Sequence, residues 1–139
     1  MKQLKKIKTV IHEKQIGLYA EVSGDRNPIH TDHEFAIETQ FGGVIAHGML
    51  TLAYISEMLV EAFGANWFKT GRLKVRFKRP AYPGNKIHTE GRIVNIRSDS
   101  NQDLVDCLVA LVDSDTDEEL ITGKASVTII KGNVRNGCN

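Results

Sequence analysis

His47-Gly48-Met49-Leu50-Thr51-Leu52-Ala53-Tyr54-Ile55-Ser56-Glu57-Met58-Leu59-Val60-Glu61-Ala62-Phe63 is the stretch on which the fold turns. Apolar residues occupy nearly every position, and Glu57 and Glu61 are the only formal charges. A helix that is apolar almost all round is a buried one. At 1.5 Å per residue it would be about 25 Å long. The longest uncharged apolar stretch, Phe41–Ser56, contains Gly42, Gly43 and His47 and ends at Glu57, too short and too broken to span a bilayer. The reading is therefore one long central helix wrapped by other structure.

The wrapping lies C-terminal to it. Arg72, Lys74, Arg76 and Lys78 alternate with Leu73, Val75 and Phe77, which is the period of a strand with one core face and one basic face. Pro80 and Pro83-Gly84 end it. Lys86–Arg97 is a second strand, whose apolar parity slips at Val94 and Ile96 and so predicts a bulge. Leu104–Val112 is almost wholly apolar and is expected to be a central strand covered on both faces. Asp113–Glu119 is an acidic turn, and Leu120–Ile130 alternates again. A short early strand near Lys5–Thr9 is expected to complete the sheet. Upstream, His12–Ser23 reads as a helix closed by Gly24 in the left-handed position. Asp25-Arg26-Asn27-Pro28 reads as a loop. Thr31 and Glu34 fit a capping box for a second helix reaching about Thr39, and Gly42-Gly43 marks a turn. Helices first and strands second define an α+β fold with an antiparallel sheet wrapped around a long central helix.

The chain has 139 residues, which suits one domain: residues 1–130 form it, and 131–139 read as a polar C-terminal tail. Lys and Arg total 18 and Asp and Glu 17, a net charge of +1 that argues against a general binder of nucleic acid. Cys107 lies in an apolar run and Cys138 in the polar tail, so no disulfide framework is expected. The basic N-terminus lacks an apolar signal core, and the expected address is cytoplasmic, with no membrane attachment.

Chemistry concentrates between Tyr19 and Leu50. Asp25 and His30 flank an Asn27-Pro28 turn that can fold both side chains toward one point. A carboxylate and an imidazole around one water suit acid–base work near neutral pH. His30 precedes a helix start, where the positive end of the dipole disfavours a second positive charge. The plainer alternative is a simple turn and a histidine that satisfies backbone groups. His30-Thr31-Asp32-His33 has metal-type residues, but neighbours on one turn without a second cluster do not make a metal site. Gly48 opens the central helix, where the first N–H groups lack intrahelical partners. With no side chain in the way, a ligand carbonyl can approach that N–H as in an oxyanion hole. The alternative is that Gly48 only permits close packing.

The string Ser23-Gly24-Asp25-Arg26-Asn27-Pro28-Ile29-His30, followed by Asp32 and Ala36, resembles the hydratase motif of the MaoC-like enzymes, which include the (R)-specific enoyl-CoA hydratases of the hot-dog fold. Ala46-His47-Gly48-Met49 is similar to the start of that family's central helix. The resemblance runs through about Ile130. It implies that Asp25 and His30 hold and activate water, that the Gly48 N–H receives the thioester oxygen, and that no cofactor is needed. Asn27 then shapes the loop beside the substrate. Met49, Ser56 and Leu59 join it as expected substrate-binding residues, and no metal is implied. The implied reaction is reversible hydration of a trans-2-enoyl-CoA to an (R)-3-hydroxyacyl-CoA. The open alternatives are a non-catalytic acyl-CoA-binding protein, a thioesterase, and an acyl-carrier-protein dehydratase. The implied partners are an acyl-CoA thioester and a second copy of the chain, as a homodimer or a dimer of dimers. The basic strand has two open readings: a solvated edge, or a surface that attracts the phosphates of coenzyme A.

Overall fold

The computed structural model describes residues 2–132. In chain order the elements are β1 (Lys8–Val10), α1 (Glu13–Ser23), α2 (Pro28–Thr31), α3 (His33–Ile37), α4 (Gly48–Phe63), α5 (Ala65–Thr70), β2 (Arg72–Phe77), β3 (Lys86–Ser98), β4 (Gln102–Asp113) and β5 (Glu119–Ile130). The strands form one antiparallel five-stranded sheet in the order β1-β3-β4-β5-β2. Beyond β1, pairing with β3 continues toward the N-terminus, as Leu4 N–H donates to Gly91 O and Ile93 N–H to Lys2 O. The bulge falls where the parity slips: the β3–β4 register shifts between Ile93 and Asn95, leaving Val94 unpaired. Among the described residues, no helix is long and apolar enough to cross a membrane.

The concave face of the sheet holds α4. Ile55, Met58 and Leu59 are fully buried there among Ile87, Val105, Leu111, Ile121 and Val127. Burying each such side chain contributes about 1.5–3 kcal/mol, an upper estimate because the unfolded chain already buries some apolar surface. Gly91 and Gly123 allow the close approach. A Cβ at Gly91 would meet the end of Met58, and one at Gly123 would meet the Lys74 carbonyl oxygen at 2.5 Å.

Four expectations are corrected. First, α4 is not buried all round: Met49, Ala53, Glu57, Glu61 and Ala62 are exposed, because the sheet covers only one side of the helix. Second, β4 is central but covered on one face. Val105, Cys107, Val109 and Leu111 are buried beneath α4, whereas Leu104, Leu108 and Ala110 on the outer face are half-buried. Third, the expected loop 25–28 already leads into α2, begun by Pro28 at its first position with the Asn27 side chain accepting from Ile29 N–H. Thr31 therefore ends α2 rather than capping α3, and the α3 cap is Asp32, whose carboxylate accepts from Phe35 N–H. Fourth, α5 was not foreseen. Gly64, at φ 56°, breaks α4 and lets a second short helix start at once.

At the C-terminal end Lys131 is tied back to the β3–β4 turn. Its N–H donates to Asn101 O and its ammonium to Asp99 O, with an ion pair to Asp103. Residues 133–139 of the expected tail, Cys138 included, lie outside the described residues.

Candidate active site

The site is assembled at the N-terminus of α4, where the α1–α2 loop and the 44–47 segment meet it. The loop is shaped by its own side chains. Gly24 takes φ 77° and closes α1 onto Ala20 O. Asp25 N–H donates to Ser23 Oγ, Asn27 N–H to Asp25 Oδ1, and Ile29 N–H to Asn27 Oδ1. These are short Asx- and Ser-type turns, the reason Ser, Asp and Asn stand at alternate positions here. Asn27 is thus a loop-builder through its side chain and its carbonyl, which accepts from His30 N–H.

His30, on α2, is buried at 9% exposure. Its Nδ1–H donates to the Ile45 carbonyl at 2.7 Å, while Ile45 N–H returns a bond to Ile29 O at 3.1 Å. A carbonyl only accepts, so Nδ1 carries a proton and Nε2 is the ring nitrogen that this bond leaves free. Asp25 is exposed. Donor atoms of Asp25, His30 and His47 all lie within 4.8 Å of one another. A gap of that size is one that a single water, with hydrogen bonds of about 2.8 Å on either side, can bridge.

His47 was read only as part of the helix-start string. Its ring is 1% exposed and stacks on His30 with centroids 3.9 Å apart and planes 25° apart. The tilted Tyr19 ring lies 4.7 Å away. His47 Nε2–H donates to the Asp25 carbonyl at 2.8 Å, and its Nδ1 is buried without a partner. A histidine inside the apolar run Val44–Leu50 was the available signal for this residue. The three donors have metal-ligand chemistry. The spacing that one water can bridge is also within reach of a bound ion.

Gly48 is the first residue of α4, so its N–H has no acceptor within the helix. Phe77 at the end of β2 lies directly over it: a Cβ at Gly48 would stand 3.0 Å from Phe77 Cε1. Close packing and an open N–H therefore coexist at this glycine. Met49 and Phe77 leave 60% and 50% of their surface exposed, an apolar rim beside the site. Ser56 is half-buried two turns along α4, on the stripe that begins at Met49. Leu59 is fully buried in the core of the fold.

An antiparallel sheet wrapped around one helix defines the hot-dog class. The family model for the MaoC like domain matches residues 1–113, and the chain belongs to this hydratase/dehydratase family. The family model's match stops before β5, while similarity to a relative and to solved structures extends over about nine-tenths of the chain. The chain is similar to 3-hydroxybutyryl-CoA dehydratase of Methylorubrum extorquens, 28% identical over 128 residues that cover 90% of this chain and 77% of that one. It is 39% identical over 79 residues to peroxisomal multifunctional enzyme type 2 of Mus musculus, 55% of this chain and only 10% of that protein. Among solved structures, an unliganded R-hydratase from Pseudomonas aeruginosa aligns with TM-score 0.75 and 28% identity over 91% of this chain and 78% of that one.

Proposed function

We propose that the chain is an (R)-specific enoyl-CoA hydratase in which Asp25 and His30 activate water and the Gly48 N–H polarises the thioester carbonyl. The observation that carries this reading is the orientation of His30. Its Nδ1–H is committed to Ile45 O, so the basic Nε2 is the nitrogen left for chemistry. The Asp25 carboxylate and this imidazole hold one water. Hydrogen bonding at Gly48 draws electron density toward the C1 oxygen and leaves C3 electrophilic. The water's hydroxyl joins C3, one water proton passes to His30, and the enolate carbon C2 takes a proton from the pair. One water is consumed per product, and the reverse is dehydration. A preorganised oxyanion donor contributes about 3–4 kcal/mol and acid–base assistance about 10²–10⁴-fold.

Partners follow from the same reading. The substrate is an acyl thioester of coenzyme A, and the working unit is a homodimer or a dimer of dimers. The exposed apolar rim of Met49 and Phe77 and the open edge of β2 support pairing of copies. Light scattering that gives a monomer would contradict it.

The test is incubation with crotonyl-CoA, following loss of the conjugated double bond and the chirality of the product. Asp25→Ala and His30→Ala are each expected to remove most of the activity. Full activity in both variants would sink the assignment. Release of free thiol would point to a thioesterase, tight binding without turnover to a non-catalytic binder, and turnover only on carrier-protein thioesters to a dehydratase of that kind.

A further inference from the structure

We propose that His47 is a positioning residue for the Asp25–His30 pair, an inference that rests on the acid–base reading above. Although His47 is the N-cap of α4, its side chain makes no capping bond, so helix initiation does not account for it. Packing does not account for it either. Its Nδ1 is buried without a partner, and an unsatisfied buried acceptor is destabilising where an apolar ring would not be. What the imidazole contributes is the Nε2–H bond to the Asp25 carbonyl, 22 residues away in sequence.

That bond has a particular place in the loop. Among the described residues, the other hydrogen bonds of the backbone from Gly24 to Asn27 run to Ala20, Ser23, Asp25, His30 and Thr31, all within the same stretch of chain. They set the shape of the turn but not its place relative to α4. His47 supplies the tie that does, and the same ring lies flat against His30. One residue at the start of the buried helix therefore meets both members of the pair: it holds Asp25 through its carbonyl and backs the ring of His30, which Ile45 anchors. Misplacing reacting groups by about 1 Å can cost about 10²-fold in rate, so the expected effect lies on turnover rather than on binding.

The test compares His47→Phe with His47→Gln. Phenylalanine keeps a flat ring against His30 but cannot donate to Asp25. Glutamine offers an amide N–H at about the reach of Nε2. The expected result is a tenfold or greater loss of kcat in His47→Phe with KM little changed, and recovery to within about fivefold of wild type in His47→Gln. Amide hydrogen exchange at Asn27 and Ile29 is expected to quicken in the Phe variant and not in the Gln variant. Should the Phe variant fail to fold, His47→Asn, whose amide is too short to reach Asp25, takes its place with the same expectations. Wild-type kcat and unchanged exchange in the donor-less variant would overturn the proposal. So would equal losses in the Phe and Gln variants, which would mark a packing role. If the wild-type chain turns over no enoyl-CoA, the hydratase reading fails, while the exchange comparison still decides whether His47 holds the loop.

Discussion

Gly48→Pro separates the backbone donor from everything else at the start of α4. Proline is favoured at the first position of a helix, where its missing N–H is one that the helix does not use. Its ring also asks the preceding residue to be extended, and His47 already sits at φ −59°, ψ 137°. The substitution therefore deletes the N–H with little expected change in the helix. It does add bulk toward Phe77, 3.0 Å from where a Cβ would lie. Gly48→Ala is the control, since it adds the same Cβ and keeps the N–H. Phe77 is 50% exposed, so its ring can shift by a few tenths of an ångström, and the stability cost in either variant should stay near the low end of overpacking, about 1 kcal/mol. Loss of one oxyanion donor lowers kcat by about 10²–10³-fold. The assay is crotonyl-CoA hydration by both variants beside a thermal melt. Gly48→Pro should fall at least about 10²-fold below Gly48→Ala at similar melting temperature. Equal kcat in the two would refute the donor role and leave close packing against Phe77 as the whole reason for the glycine.

The two sheet glycines should respond differently to alanine. Gly123→Ala drives a Cβ to 2.5 Å from the immovable Lys74 carbonyl and is expected to destabilise by more than about 2 kcal/mol, whereas Gly91→Ala meets the flexible end of Met58 at 2.8 Å and should cost less; urea unfolding measures both. Lys74 and Lys124 are exposed cross-strand partners without an ion pair among the described residues. Reversing both to Glu should raise KM for enoyl-CoA by about two- to tenfold at low salt, less at high salt, and leave a phosphate-free thioester unaffected; equal KM for enoyl-CoA would assign the basic strand to solvation alone. Burial, with a smaller contribution from the neighbouring Asp106 carboxylate, pushes the Cys107 thiol up from 9.0 to about 11. The folded value lies above the unfolded one, so this contribution to stability is intact below about pH 9 and is lost as pH rises through about 11. In a Cys138→Ser background, iodoacetamide should label the native chain slowly at pH 8, and Cys107→Ala should lessen the alkaline loss of stability; rapid native labelling would contradict the burial argument.

The strands were legible because period-two alternation survives translation into one covered and one open face, and even the Val94 bulge shows as a slip of parity. The short elements were not. α2 arises because Asn27 and Pro28 together cap and seed a turn, and this outcompeted the Thr31 capping box three residues on. α5 follows a glycine conformation at Gly64 that composition does not reveal. The apolar runs of α4 and β4 were read as covered on every side, yet hydrophobicity records only that a surface is to be buried, not that this chain buries it. Part of both elements remains open on the single chain.

At the site, the sequence offered Asp25, His30 and Gly48 as candidates, because residue type and spacing around a turn restrict what those groups can do. It carried nothing about proton placement. The free Nε2 of His30 follows from a carbonyl that happens to lie at Ile45, and the tie from His47 to Asp25 follows from two segments 22 residues apart being folded against each other. Periodicity along the chain is enough to specify which elements form and which of their faces are apolar. Which side chains meet, and which hydrogen each imidazole keeps, depends on contacts across the fold.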